Sequence, residues 1–514
     1  MALTTAQRAV ERPDEIALRD DLVALSWAEV DDLLNRVANG LHALDLGPAR
    51  RVAVYAENAA ETVLAHLGGL LAGASTVPVN FHLGVDEVAY ILADSKATVV
   101  FVGPETVERG LAAAASAGIS LVIGWRCPPD HGLVSFEAWL AASSAGEPPI
   151  DLPPRPNLMY TSGTTGRPKG VDLPPTMFAG GNTIVDHVEA LKGNRFAAFG
   201  THLVVGPMYH TGPLSGVRLL AIGVPVVVMG RFDAETVLAT IERTGAGTTV
   251  MVPTHFARLL ALPPEVRARY DVSSMKLVAH TGAACPIDVK RQMIEWFGPV
   301  FSDAYGSTEV GTICSISSLE WLEHPGSVGR VIPPFSRVIV VDEDGNELPA
   351  GTEGRLYFED STGRGVVYPN DPEKTAAAHL RPGVFTIGEI GYVDPDGFVY
   401  ITDRFSDMIV SGGVNIYPAE AEHVLLQHPQ VADVAVIGVP NAEMGEEVKA
   451  LVIARDRTNP PAAAELVAFC RARLASYKCP RTIDIVDTVD RSAMGKINKR
   501  ALRAPYWSGS RTIG

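Results

Sequence analysis

Along most of the chain, short β-branched runs alternate with longer stretches of helical period. Arg51-Val-Ala-Val-Tyr55 predicts a strand, Ala60–Leu71 a helix and Ser75–Val79 a strand; Glu87–Asp94 and Ala97–Val102 repeat the alternation. Leu203–Val205 and Val224–Met229 read as further strands, Ala234–Arg243 and Ile287–Trp296 as helices. Such alternation predicts an α/β architecture built on parallel sheets. The proline-rich Pro148–Pro156 reads as a connector between two α/β halves. Beyond Arg330 the rhythm changes: Arg337–Asn346 and Gly397–Asp403 read as strands joined by Asp/Gly turns, a smaller β-rich unit. From Pro418 the order helix, strand (Val431–Val439), strand (Lys449–Ala454), helix (Ala462–Leu474) predicts a compact α+β unit.

Composition narrows the classes. At 514 residues, with 47% hydrophobic and 20% charged positions, the chain has room for several well-cored domains. The net charge of −16 argues against nucleic-acid partners. That charge is uneven: from Arg404 onward there are 14 Lys/Arg against 12 Asp/Glu, and before it 29 against 47. The last segment is therefore better suited to meet anionic ligands. Five scattered cysteines without a CxxC pair predict neither a zinc site nor a disulfide framework and point to the cytoplasm. The N-terminus lacks the apolar core of a signal peptide. The run Val63–Val79 has no formal charge, yet its glycines and Pro78 predict a buried helix and strand rather than an integral membrane segment.

The strongest chemical signal is Tyr160-Thr-Ser-Gly-Thr-Thr-Gly-Arg-Pro-Lys-Gly170. Thr161, Ser162, Gly163, Thr164, Thr165 and Gly166 supply hydroxyls and glycine-freed amides that form a nest for phosphate oxygens, and Lys169 adds charge. It is not the GxxxxGK[ST] loop, because Pro168 precedes the lysine. A plain Ser/Thr/Gly linker is the bland alternative, but linkers rarely run from an apolar strand into Pro-Lys-Gly-Val.

From Arg12-Pro-Asp-Glu-Ile-Ala-Leu to Lys496, the chain resembles the adenylate-forming enzymes: acyl-CoA synthetases, coumarate-CoA ligases, luciferase and peptide-synthetase adenylation domains. In that resemblance Pro207-Met-Tyr-His-Thr-Gly-Pro213 borders the acyl pocket, with His210 beside the carboxylate. Thr281-Gly-Ala-Ala-Cys-Pro286 is similar to the adenine-facing loop, bringing Gly282, Ala283 and Ala284 to the purine, although Cys285 stands where many relatives have proline. Asp303-Ala-Tyr-Gly-Ser-Thr-Glu309 is similar to the family's Tyr-Gly-x-Thr-Glu. The resemblance implies that Asp303 accepts from the adenine amino group, that Ala304 and Tyr305 line the base, and that Thr308 donates to the α-phosphate. Glu309 is implied as the ligand of Mg²⁺, for which a hard oxygen is suited.

Three further segments carry the resemblance to the C-terminus. Phe385-Thr-Ile-Gly-Glu-Ile-Gly391 places Glu389 where the family has a ribose-binding aspartate, one methylene longer. Asp403-Arg-Phe-Ser-Asp407 is similar to the boundary where a C-terminal lid pivots: Arg404 is implied at ribose and phosphate, and Ser406 occupies the pivot position usually held by Asp or Lys. Ser411-Gly-Gly-Val-Asn415 implies that Gly412 and Gly413 leave room for the pantetheine arm of coenzyme A, and Arg491–Arg500 carries the implied adenylation lysine, Lys496.

The expected whole is an N-terminal AMP-binding body over 1–403, made of two α/β subdomains and a β-rich one, with a mobile lid over 404–514. The expected function is an ATP- and Mg²⁺-dependent acyl-CoA ligase for a fatty or other bulky hydrophobic acid, because Gly212, Leu214, Gly216, Val217, Ala279, Val310 and Gly311 suggest a roomy apolar pocket without a charged partner for an amino group. This ties the chain to fatty-acid and lipid metabolism. The rival is an adenylating enzyme that loads a separate carrier protein; no carrier segment follows Gly514, which favours free coenzyme A, and a non-catalytic scaffold is disfavoured by Lys169, Glu309, Arg404 and Lys496. A homodimer stays open.

Overall fold

The structure, a computed structural model, describes residues 3–128, 132–161, 168–175, 177–282, 285, 287–342, 344–368, 372–404, 409–416, 418–489, 497 and 499–507. The first sheet is wholly parallel, in the order Ser75–Pro78, Arg51–Tyr55, Val99–Val102, Leu121–Gly124 and Val134–Ser135. Val99–Val102 is buried along its whole length, as a strand covered on both faces requires. The uncharged run Val63–Val79 resolves into the helix Ala60–Leu71 and the strand Ser75–Pro78, and no helix among the described residues is long and apolar enough to cross a membrane.

A nine-stranded mixed sheet forms the second layer. Its centre holds the parallel strands Val226–Val228, His202–Val204, Thr248–Met251, Leu277–His280 and Phe301–Ser307, and the antiparallel Gly311–Ser317 and Arg330–Val331 extend one side. The expected division at Pro148–Pro156 is not respected by this sheet. Ile16–Arg19, from the start of the chain, pairs in parallel with Val226–Val228, Leu18 opposite Val226. Ala17 and Leu18 are fully buried there, and a strand with two covered faces needs a sheet to join.

Helix ends follow local chemistry. Ser26 and Glu29 form a capping box on Trp27–His42, and Asp233 caps Ala234–Thr244, which ends on the left-handed Gly245.

The β-rich unit is an antiparallel sheet of Phe335–Val341, Gly354–Asp360, Glu389–Val393 and Val399–Arg404, with the short Val384–Phe385 and His379–Arg381 at its edge. Arg404 is the last residue of that sheet. The next described strand, Ile409–Ser411, belongs to a different one, with Val414–Ile416, Gly445–Ala454, Val431–Asn441 and Thr482–Ile485. Helices Pro418–Leu426 and Ala463–Arg471 complete this C-terminal unit.

Candidate active site

The glycine- and hydroxyl-rich loop is carried by a two-stranded hairpin. Leu158–Thr161 pairs antiparallel with Lys169–Asp172, so Thr161 and Lys169 stand opposite one another at its mouth. Ser162, Gly163, Thr164, Thr165 and Gly166 lie outside the described residues, as does the Thr161 side chain. Lys169 is half-buried.

Two parallel strands deliver the next groups. Thr281, just after Leu277–His280, donates from Oγ1 to the Ala304 carbonyl at 2.7 Å, which ties the loop expected to face adenine to Phe301–Ser307. Ala283 and Ala284 lie outside the described residues. Phe301–Ser307 and Gly311–Ser317 form a hairpin whose tip is Thr308, Glu309 and Val310, while the Tyr305 ring packs near Phe358 at 6.0 Å. Glu309 is half-buried and takes no hydrogen bond or ion pair from a described residue, so its carboxylate is available to a divalent cation; this fits the hard-oxygen site implied for Mg²⁺.

Asp303 is held by partners that sequence reasoning missed. Its Oδ1 lies 2.5 Å from the Lys290 ammonium and contacts His280 Nε2. Burial would raise this carboxyl, but His280 and Lys290 bring it below its usual value. Burial lowers the Lys290 ammonium, with Asp303 opposing. The signal was present: Lys290 shares the stripe of Met293, Ile294 and Phe297, the buried face of Ile287–Phe297.

Glu389 opens the strand Glu389–Val393 and stands opposite Arg404 on Val399–Arg404, so the two expected ribose residues are neighbours on one sheet. The Arg404 side chain lies outside the described residues.

His210 caps the helix Thr211–Val217, its ring 4.4 Å from that of Tyr209. Burial pushes its imidazole down to about 4, so it is neutral at pH 7. Two of the glycines expected to open the pocket, Gly212 and Gly216, add no space to it. A Cβ on Gly212 would lie 3.1 Å from Val250, and one on Gly216 would run into His202. These glycines bring the helix close to the sheet; the space they vacate is already filled.

The C-terminal unit reaches the same region. Gly412 and Gly413 form the turn between Ile409–Ser411 and Val414–Ile416, both with positive φ, and Gly412 N–H donates to the Met444 carbonyl at 2.8 Å. A Cβ on Gly413 would lie 3.0 Å from Val252, and one on Gly282 would lie 3.7 Å from the Gly413 carbonyl. The turn thus sits against Val252 and Gly282. A second bridge was also missed: buried Lys478 pairs with Glu420 at 2.7 Å within its own unit and with Glu87 of the first sheet's layer at 2.9 Å. Burial opposes its charge, yet Tyr477, Glu420 and Glu87 hold the ammonium above its ordinary value. Lys496 and Ser406 lie outside the described residues.

Comparison with known proteins agrees with this layout. Residues 5–365 match the family described as AMP-binding enzyme, and residues 420–496 its AMP-binding enzyme C-terminal domain. A feruloyl-CoA synthase from Amycolatopsis is 34% identical over 97% of this chain and 98% of its own. The long-chain-fatty-acid–CoA ligase FadD13 from Mycobacterium tuberculosis is 33% identical over 94% and 93%. Among solved structures, the amide bond synthetase McbA from Marinactinospora thermotolerans superposes with a TM-score of 0.81 at 27% identity, covering 98% of this chain and 99% of that one. The o-succinylbenzoate CoA synthetase from Bacillus subtilis matches at 27% identity in two states. The TM-score is 0.77 for a double mutant bound to its product analogue OSB-NCoA, covering 98% of both chains, and 0.63 for its AMP complex, covering 100% and 99%. An α/β body joined to a small C-terminal unit thus coincides with both family matches: the chain belongs to the AMP-binding enzymes and is an AMP-forming acid–thiol ligase.

Proposed function

We propose that this enzyme joins a bulky hydrophobic carboxylic acid to coenzyme A through an acyl-adenylate, with residues 404–514 acting as a lid on the body 1–403 that turns about Ser406. The observation that carries the reading is the seat of Gly413 against Val252 and Gly282, which brings the C-terminal unit onto the nucleotide loop. The better superposition on the product-analogue complex than on the AMP complex of one and the same ligase supports this as the thioester-forming arrangement.

In the first step a carboxylate oxygen bonds to the α-phosphorus and the bond to pyrophosphate breaks. Catalysis here is positioning and charge stabilisation. The loop 162–166 and Lys169 hold phosphate oxygens, Thr308 donates to the α-phosphate, and Lys496 bridges carboxylate and phosphate. Glu389 and Arg404 hold the ribose, and neutral His210 borders the carboxylate without adding charge. Mg²⁺ held at Glu309 would neutralise phosphate charge. In the second step the lid turns, Lys496 leaves, and the thiol of coenzyme A enters past Gly412 and Gly413. Its sulfur bonds to the acyl carbon and AMP departs.

The acid is read as a fatty or other bulky hydrophobic one, in keeping with relatives that include a feruloyl-CoA synthase and a long-chain-fatty-acid–CoA ligase. The test is AMP release with ATP, coenzyme A and a panel of aryl, short-chain and long-chain acids, repeated with a phosphopantetheinylated carrier protein in place of coenzyme A. Preference for a short-chain acid would overturn the substrate assignment, and preference for the carrier would overturn the acceptor. Lys496→Ala should slow adenylate formation by about 10²–10³-fold while a supplied acyl-adenylate is still converted to thioester. Equal loss in both steps would sink the two-position lid.

A further inference from the structure

Lys290 has no place in the chemistry described so far, yet its side chain is 1% exposed. An ammonium on the buried stripe of a helix is costly unless it is paired and hydrogen-bonded. Its ammonium lies 2.5 Å from Asp303 Oδ1 and over the Trp321 ring at 4.4 Å. His280, in register with Asp303 on the adjacent strand, reaches the same oxygen through Nε2. Oδ2 has no partner among the described residues, and the Asp303 side chain keeps 14% of its exposure. Across the hairpin, Ser315 and Ile316 bring no charge to it. The carboxylate is therefore divided, with one oxygen committed to the protein and the other left open.

We infer that Lys290 is a positioning residue for nucleotide choice: by occupying Oδ1 it leaves Asp303 one open acceptor at the base subsite, selecting a purine with an exocyclic amino group over one with a carbonyl at that position. The inference rests on the reading of Asp303 as the residue that faces adenine. An ionised carboxylate only accepts, and the adenine amino group donates to it. Hypoxanthine would set its 6-oxo group against Oδ2, two acceptors facing each other with neither paired. Lys290 only donates, so it dictates which atom of residue 303 faces it. His280 imposes no such choice, because a neutral imidazole nitrogen either donates or accepts according to tautomer.

That asymmetry gives the test. Adenylate formation is measured with ATP and with ITP in wild type, Asp303→Asn and Asp303→Asn/Lys290→Met, with a melting curve for each. Wild type is expected to favour ATP by on the order of 10²-fold in kcat/KM. In Asp303→Asn the ammonium holds the amide oxygen and turns the NH₂ toward the base, so ITP becomes favoured by about tenfold. Removing Lys290 as well frees the amide to turn, and the preference collapses to within a few-fold of unity. A gain of ITP use is a change that mere loss of stability does not produce. Equal ATP-to-ITP ratios in the single and double variants overturn the role of Lys290 while leaving Asp303 at the base. A wild-type ratio in both shows instead that Asp303 does not face the base. If Asp303→Asn does not fold, Lys290→Met decides: a carboxylate relieved of its ammonium is free to turn, so a KM for ATP and an ATP-to-ITP ratio both unchanged from wild type overturn the inference.

Discussion

Glu389 and Arg404 are register partners on adjacent antiparallel strands, with Glu389 buried to 4% exposure. A carboxylate one methylene longer than the family's aspartate is thus anchored on a strand beside Arg404, the other residue proposed at the ribose. Glu389→Gln should raise KM for ATP by about tenfold with a smaller fall in kcat, since a ribose contact is made in ground and transition states alike. The same variant should lose discrimination between ATP and 2′-deoxy-ATP. Unchanged discrimination would remove Glu389 from the ribose.

Gly413 approaches Val252 too closely for a side chain, at a φ of +79°. Gly413→Ala should therefore impair docking of the turn, lowering thioester formation at least tenfold while pyrophosphate exchange into ATP persists. Val252→Ala in the same protein should recover part of the loss, because it removes the opposing methyl groups. A loss that Val252→Ala leaves untouched would assign the defect to backbone strain alone.

Lys478 joins the two units through Glu87. Glu87→Gln keeps a polar side chain but removes the charge, so the C-terminal unit should be held less firmly in the present arrangement. Thioester formation should fall by about five- to tenfold, the scale of one charge-assisted hydrogen bond, with adenylation little changed. Equal change in both half-reactions, at unaltered melting temperature, would count against a role for this pair in lid placement.

Besides His210, four buried imidazoles set an acid limit on stability. Burial lowers His66, His202 and His255 to about 3 and His187 to about 4. The unfolded chain takes up these protons near pH 6.5 and the folded one does not, so stability is full above that pH and is lost as pH falls toward the folded values. Each group contributes a slope of about 1.4 kcal/mol per pH unit within that window. Melting temperature should therefore drop steadily between pH 6.5 and 5; a flat profile would mean that these rings are solvated.

Much of the architecture was legible along the chain. Strands such as Arg51–Tyr55, the cap of Ala234–Thr244 and the Thr161-to-Lys169 loop declare themselves within a few residues, because turn glycines, capping side chains and hydrophobic period act on the local backbone. The motifs proposed to hold the nucleotide and coenzyme, around Asp303, Glu309, Glu389 and Gly413, stand out for the same reason: each is a short run of residues adjacent along the chain.

What the sequence could not disclose depends on pairings across long separations. Ile16–Arg19 joins a sheet whose other strands, Ala24–Ser26 apart, begin after residue 200, Lys478 reaches Glu87, and Gly216 meets His202 across a helix–strand contact. The Lys290–Asp303–His280 cluster needs a helix and two strands to be in register before any of the three has a partner. Local propensity is set by a residue's immediate neighbours, whereas the partner of a buried charge and the size of a pocket are set by which surfaces the sheet order presses together. The residue types were fixed by the chain; whether a glycine opened a cavity or closed one, and whether a lysine was a solvated cation or a buried clamp, was decided by packing.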